Sequence, residues 1–187
     1  MNLEQIFQLI EDAARNLDRF REEFNAGGHI PEEQEFFSLR LQAAIFQFEL
    51  CGVMLSLEKA NPGSFARKVA LKEMIHKIYE YKPLVTKTQI NRVLTLAGKR
   101  GLTSQRQKLE ETYTAAKHSL KVIDKYKDLR NAASGHYDHD TVEQVSAIDS
   151  IDHESALDTI ARFLCFNRDM LSILRDIGQN RECHGAP

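Results

Sequence analysis

The chain has 187 residues, which is typical of a single domain. Its hydrophobic content of 42% and charged content of 28% are ordinary for a folded globular protein, and they exclude a disordered or fibrous chain. The formal net charge at pH 7 is −2, so the chain as a whole is neither a basic nor an acidic polyelectrolyte.

The charge is distributed unevenly along the chain. Residues 1–65 carry 5 Lys/Arg and 11 Asp/Glu, residues 66–130 carry 16 and 6, and residues 131–187 carry 4 and 10. The middle segment therefore sums to +10 and each flanking segment to −6. This pattern predicts either a basic face that binds a polyanion or charge pairing between helices, and it favours neither.

Apolar residues recur with the period of an α-helix, and no alternating strand pattern is visible. The first predicted helix covers about 2–24 and ends before "NAGGHIP". The second covers about 31–60 and has apolar residues on all sides, so we expect it at the centre of the fold. Its most apolar run is too short for a membrane span and contains Gln47 and Glu49.

The middle of the chain is divided by a proline and by glycines. Ser64 is predicted to cap a third helix that reaches about Tyr81, and Pro83 is predicted to interrupt it. A shorter helix over about 88–98 follows and is stopped by "GKRG". Thr103 or Ser104 is then expected to cap a fifth helix over about 104–133.

The last part of the chain is predicted to hold one long helix. Residues 134–151 are a polar connection in which "VEQVSAID" forms a short helix or an extended piece, and Asp152 caps a final helix over about 153–178. These elements predict an all-α protein, an antiparallel bundle of five to six helices that forms one domain over 1–187. The tail over 179–187 is expected to be flexible.

The three cysteines are far apart in the sequence and form no C-x-x-C pair, which argues against a zinc knuckle, a redox pair or a disulfide framework. Cys51 and Cys165 lie in apolar helical stretches, and we expect both to be core residues. The amphipathic, acidic N-terminus is typical of neither a signal peptide nor a transit peptide. We therefore expect a cytoplasmic protein.

Two groups of residues have the chemistry of metal ligands. Glu73 and His76 have the i, i+3 spacing of half a di-iron motif, but the sequence contains no second Glu-x-x-His. The other group is the His/Asp-rich "HYDHD" together with His153, which invites comparison with metal-dependent phosphohydrolases. Its context is polar and loop-like, and Asp140 suits a helix N-cap. We predict no metal site and no cofactor.

The stretch "LRNAASGHYD" is the strongest candidate for chemistry. Arg130 and His136 would lie on different faces of a continuous helix. Gly135 is suited to ending the helix in the left-handed conformation, which would let His136 turn back toward Arg130 and Asn131. A guanidinium stabilises the charge of a pentacoordinate phosphate, and an imidazole acts as general acid or base. The stretch is therefore a candidate metal-free phosphodiester site.

This segment resembles the R-x(4–6)-H signature of the HEPN superfamily, the nucleotide-binding domains of higher eukaryotes and prokaryotes. In that family a polar residue, commonly asparagine, follows the arginine, as Asn131 does here. The resemblance is specific around Arg130 and only architectural elsewhere. It implies a HEPN-like helical fold with the motif, 130–136, near the end of a late helix. It also implies a metal-independent endoribonuclease of the kind found in toxin–antitoxin and phage-defence systems.

The resemblance implies a role for each residue of the motif. His136 would take the proton from an RNA 2′-hydroxyl or protonate the leaving 5′-oxygen, Arg130 would hold the scissile phosphate, and Asn131 would orient it. Tyr137 and Asp138 would be accessory. A tyrosine directly after the histidine, rather than two residues later, departs from the branch that a nucleotidyltransferase modifies. The implied partners are RNA, a second copy of the chain, and a separately encoded antitoxin or nucleotidyltransferase.

Lysines precede the motif at helical spacing. Lys117, Lys121 and Lys125 are four residues apart, and Lys127 follows them. They are either RNA-binding residues that lead to the cleft or one solvated helix face. The alternative function is a catalytically inactive HEPN-like module that binds nucleotide, RNA or protein without cleaving it.

Overall fold

A computed structural model describes residues 3–26, 31–133 and 141–179. These residues form helices and no strand. In chain order the elements are α1 (Leu3–Ala26), α2 (Pro31–Lys59), α3 (Phe65–Pro83), a π-helical segment (Leu84–Gln89), α4 (Ile90–Lys99), α5 (Thr103–Val122), a 3₁₀ segment (Ile123–Tyr126), α6 (Lys127–Ala133), α7 (Thr141–Asp149) and α8 (His153–Gln179). Two of the connections are themselves helical, so the described chain builds six continuous helices. The predicted helical bundle is confirmed for these residues.

Helix α2 lies at the centre of the described fold. It packs against α1, α3, α4 and α8. Leu39, Phe46 and Leu50 are among its buried residues, as expected for a helix with neighbours on several sides. By length and composition alone, the helix over Glu33–Lys59 is also apolar enough to cross a membrane, a property that core helices of globular proteins share, and 33% of its most apolar 18-residue stretch is buried in the bundle.

Three predicted helix boundaries agree with the structure. The Ser64 side chain accepts a hydrogen bond from the Arg67 backbone N–H at 3.2 Å, which satisfies a free donor of the first turn of α3. Asp152 does the same for Ser155 at the start of α8. Helix α4 ends before Gly101, whose φ of 68° is the left-handed conformation that glycine adopts without steric cost.

Two boundary predictions are wrong. Pro83 does not interrupt the third helix, because the backbone widens into the π-helical segment immediately after it and continues into α4. A π-turn bonds residues five apart and so accommodates the missing proline N–H within a continuous helix. Neither Thr103 nor Ser104 caps α5; Leu102 occupies the N-cap position without a side-chain hydrogen bond.

The structure decides two further sequence questions. "VEQVSAID" is helical and lies in α7, where Ile148 is buried against the core. Of the two cysteines expected in the core, Cys51 is buried and Cys165 is exposed, because Cys165 lies on the solvent side of α8. Burial raises the pKa of the Cys51 thiol. Residues 180–187, which make up nearly all of the predicted tail, lie outside the described residues.

An aromatic cluster joins α2, α3 and α8. The rings of Phe46 and Tyr81 are stacked with centroids 3.9 Å apart, and Phe163 meets both rings edge-on at 5.8 and 6.4 Å. Such arrangements contribute about 0.5–1.5 kcal/mol each beyond area burial. The Tyr81 hydroxyl donates to Gln89 Oε1 at 3.0 Å, and burial raises the pKa of Tyr81 to about 12. The cluster fixes the relative position of the helices that surround the candidate site.

Candidate functional site

Arg130 lies in the last turn of α6, where the partial negative charge of the helix end favours a cation. Its side chain is 41% exposed, so the guanidinium is accessible to a ligand. The preceding 3₁₀ segment and α6 pack against α3, and this contact carries Arg130 to the surface of α3. Arg130 Nη1 lies 3.4 Å from Asn131 Oδ1, so two of the predicted site residues are neighbours.

A carboxylate and an imidazole from α3 complete the group around Arg130. Arg130 Nε donates to Glu80 Oε1 at 2.8 Å, and His76 Nε2 lies 3.7 Å from the same oxygen. His76 and Glu80 are one helical turn apart and face the same side of α3. Glu80 therefore stands between a guanidinium and an imidazole, and it partly neutralises the charge of Arg130.

Beside this group, a groove of about 490 Å³ runs between α2 and α3. Its apolar wall includes Ile45, Phe46 and Leu84, and His76 and Glu80 stand at its edge. An ion pair, Lys77 Nζ to Glu49 Oε2 at 2.8 Å, joins α3 to α2 across the groove. The volume lies in the range of small-molecule sites and is large enough for a nucleoside. An apolar groove next to a guanidinium can hold a base while the arginine holds the attached phosphate.

The other predicted catalytic residues fall outside the description. His136, Tyr137 and Asp138, with Gly135, lie in the segment 134–140, so their positions relative to Arg130 remain predictions. Asp140, expected to cap the helix after the motif, lies in the same segment. Helix α6 is described as far as Ala133, the residue at which the sequence predicted the helix to end.

The predicted RNA-binding lysines are all on the surface. Lys117 and Lys121 are on α5, and Lys127 is on α6. Lys125 is exposed too, but its Nζ donates to Ser155 Oγ on α8 and lies 4.9 Å from the centroid of the Tyr126 ring. Lys125 is therefore held against α8, and the four lysines are not equally available to a ligand.

Part of the charge in the basic middle segment is paired with the flanking acidic segments. Pairs between helices include Arg92–Glu35 and Lys68–Asp149 in addition to Lys77–Glu49. The hydrogen bond from Arg92 lowers the pKa of Glu35, and the carboxylate raises the pKa of Arg92. Of the two interpretations of the charge pattern, internal pairing therefore accounts for several basic residues of α3 and α4. The exposed lysines of α5 and α6 are among the basic residues that can face a polyanion.

The residues Glu73 and His76, half of a di-iron motif in sequence, both line the groove between α2 and α3 but have different partners. Glu73 pairs with Lys72, whereas His76 faces Glu80. Across residues 3–26, 31–133 and 141–179, no group of three or more His, Cys, Asp or Glu side chains is placed to hold a metal ion.

Sequence reasoning missed Glu80 altogether and assigned His76 no part in the candidate site. The spacing of His76 and Glu80, four residues apart, predicts that they share a helix face, but it does not predict that Arg130 packs against them.

Comparison of the chain with protein-family models, with curated proteins and with solved structures finds no match.

Proposed function

We propose that the protein is a HEPN-type, metal-independent endoribonuclease that acts as a homodimer and serves as a toxin or defence effector. RNA is cleaved by attack of its own 2′-hydroxyl on the adjacent phosphate. His136 moves the proton, Arg130 stabilises the phosphate charge, and Asn131 orients both, with Tyr137 and Asp138 accessory. The observation that carries the proposal is the R-x5-H motif, whose arginine lies exposed in the last turn of α6.

The contacts of Arg130 support a phosphate-binding role. A guanidinium has five N–H donors, and Glu80 accepts the one on Nε. Held from that side, the guanidinium plane is fixed while its two terminal nitrogens carry the remaining donors. Two parallel N–H donors are what a phosphate binds in bidentate fashion. The Glu80 contact therefore orients Arg130 through Nε, and of the terminal nitrogens only Nη1 has a further contact among the described residues, a long one of 3.4 Å to Asn131 Oδ1 that a phosphate can replace.

The groove between α2 and α3 supports a nucleotide substrate. A phosphate on Arg130 places the adjoining nucleoside within reach of the apolar wall formed by Ile45, Phe46 and Leu84. Phe46 is 4% exposed and stacked on Tyr81, so the accessible part of this wall is Ile45, which is 43% exposed and offers apolar surface to a base. Lys117 and Lys121 on the surface of α5 supply positive charge for the rest of the strand.

A labelled pool of single-stranded RNA, incubated with the purified protein with and without EDTA, tests the proposed activity. We expect cleavage at the same rate in both conditions, because the proposed proton transfers and charge stabilisation use only side chains. Loss of cleavage on chelation would assign the reaction to a metal held by the His/Asp-rich segment instead. Absence of cleavage in both conditions would refute the nuclease.

A second candidate function is supported by the Arg130–Glu80 ion pair. The carboxylate lowers the net charge available to a phosphate, which suits a module that binds nucleotide, RNA or a protein partner without cleaving RNA. The pair is half-exposed, and exposed pairs contribute only about 0–1 kcal/mol, so a phosphate can compete with it. This candidate predicts saturable RNA binding without product.

Glu80→Gln is expected to tighten RNA binding by about threefold to tenfold. Glutamine keeps an acceptor for Arg130 Nε but removes a negative charge beside the phosphate position, and about 1 kcal/mol corresponds to roughly fivefold in affinity. The measurement is fluorescence anisotropy of a labelled RNA at low ionic strength.

Glu49→Gln is the matched control for this variant, because Glu49 lines the same groove, is 50% exposed like Glu80, and pairs with Lys77 rather than Arg130. We expect less than a twofold change in affinity. Equal effects of the two variants would mean that RNA senses the general charge of the groove, and Arg130 would lose its assigned role.

A further inference from the structure

A second cavity, of about 580 Å³, lies between α1, α2 and α8. Four arginines line it: Arg19, Arg40, Arg168 and Arg175. The groove between α2 and α3 is lined by Ile45 and Glu49, whereas this cavity is lined by Ala44 and Gln47. With 3.6 residues per turn, the two sets lie on different faces of α2. The cavity is therefore separate from the Arg130 site. We call it the arginine cavity.

Arg40 is the fixed element of the arginine cavity. Its side chain is only 22% exposed, its guanidinium lies 4.0 Å from the centroid of the Phe20 ring, and its Nη1 is 2.6 Å from Glu23 Oε2. Burial lowers the pKa of Arg40, and the Glu23 carboxylate opposes that effect. Aromatic stacking and the ion pair hold the guanidinium in one orientation, so little side-chain entropy is lost when it binds a ligand.

Carboxylates partly balance the four arginines of the lining. Asp169 lines the cavity itself, and Glu23 beside it pairs with Arg40 at 2.6 Å and with Arg19 at 3.9 Å. Asp169 pairs with Arg168 at 3.0 Å, and Arg175 lies 4.0 Å from Asp176. Both are pairs between adjacent residues with arginine side chains 74% and 69% exposed, and such pairs are weak. Four arginines therefore face three carboxylates, Glu23, Asp169 and Asp176, which leaves one net positive charge, and a bound polyanion can compete with the two weak pairs for Arg168 and Arg175.

We propose that the arginine cavity binds a small ligand carrying a di- or triphosphate group, either a nucleotide or an inorganic polyphosphate. Arg40 holds one phosphate at a fixed position, and Arg168 and Arg175 supply forked donors to the others. Guanidinium forks match phosphate oxygens in bidentate geometry. A cavity of this volume accommodates a nucleotide.

Isothermal titration calorimetry with tripolyphosphate, ATP and GTP tests this site. We expect saturable binding of at least one of them, weakened as salt is raised because screening reduces the attraction. Tighter binding of ATP or GTP than of tripolyphosphate would identify a nucleotide as the ligand, and equal binding would identify phosphate recognition alone. Failure of all three to saturate would overturn the proposal, even if the protein binds RNA.

The double variant Arg168→Gln, Arg175→Gln is expected to weaken this binding at least about tenfold, since two charge-assisted contacts are lost. Both side chains are exposed, so the fold is preserved. Arg162→Gln is the matched control: it lies on the same helix and pairs with Asp158, but it does not line the cavity. It should change affinity less than twofold, and an equal loss in the control would contradict the assignment.

The arginine cavity and the Arg130 site are expected to act independently. Arg130→Ala should leave tripolyphosphate binding within twofold of the wild-type value, because Arg130 packs against α3 and does not line the cavity. The anion site is therefore tested separately from RNA cleavage. Loss of tripolyphosphate binding in Arg130→Ala would place the anion at Arg130 and not in the cavity.

Discussion

Arg130→Ala is expected to lower the rate of RNA cleavage by about 10²–10³-fold, because removing one donor to a developing phosphate charge typically costs that much. His136→Ala is expected to cost about 10²–10⁴-fold through the loss of general acid–base catalysis. Arg130→Lys should recover only part of the activity, since an ammonium keeps the charge but not the forked donor geometry. Single-turnover cleavage of a labelled RNA measures all three.

Loss of folding stability does not account for a loss of activity in Arg130→Ala. The Arg130–Glu80 pair is 41% and 50% exposed, and such pairs contribute about 0–1 kcal/mol to folding stability. Arg162→Ala removes another ion-paired exposed arginine, and His118→Ala removes an exposed histidine of α5. Both controls should retain full cleavage. Wild-type rates in Arg130→Ala and His136→Ala would remove the motif from the reaction.

Phe163→Ala is expected to lower the free energy of unfolding by about 3–5 kcal/mol, the cost of deleting a buried phenyl ring together with the cavity it leaves. Phe163 is 1% exposed and contacts Phe46 and Tyr81 edge-on, so its loss removes partners from two other helices. Thermal unfolding should shift downward by roughly 6–20 °C for a chain of this size. Urea denaturation followed by circular dichroism gives the free energy directly.

Phe65→Ala is the matched control for the core variant. Phe65 begins α3 and is 44% exposed, so the same deletion should cost less than about 1 kcal/mol. Similar losses at the two positions would mean that the aromatic cluster does not anchor α8. Because Phe46 and Tyr81 also line the groove between α2 and α3, Phe163→Ala should also weaken the proposed RNA binding.

Local signals in the sequence predict most of the helix order and several boundaries. Ser64 and Asp152 act through hydrogen bonds to residues three positions away, and Gly101 acts through its own backbone conformation. Such effects depend on neighbours along the chain, so spacing reveals them. The uniformly apolar composition of α2 likewise predicts a helix with packing partners on several sides.

Packing between helices determines two features that the sequence pattern did not predict, the continuation of the helix past Pro83 and the exposure of Cys165. Pro83 normally stops a helix, yet here the helix continues through a π-turn whose residues Val85 and Gln89 are buried. Cys165 lies in an apolar stretch but on the outer side of α8, because the phase of the helix face is set by its partners. Such outcomes result from packing between distant segments rather than from propensity.

The residues of the candidate site also differ in whether the sequence can predict them. Arg130 and Asn131 are adjacent in sequence, so a motif could identify them together. Glu80 is fifty positions from Arg130, and only the packing of α6 on α3 brings its carboxylate to 2.8 Å from the guanidinium. The four arginines of the arginine cavity come from three helices and form no sequence motif.

The chemical nature of the product termini tests the central claim most directly. Mass spectrometry of RNA fragments formed in EDTA should find a 2′,3′-cyclic phosphate on one side of the cut and a 5′-hydroxyl on the other, because the 2′-hydroxyl displaces the 5′-oxygen. The same termini should be absent from reactions with His136→Ala. Products with a 5′-phosphate and a free 3′-hydroxyl would show that water, and not the 2′-hydroxyl, is the nucleophile, which contradicts the proposed mechanism at Arg130 and His136.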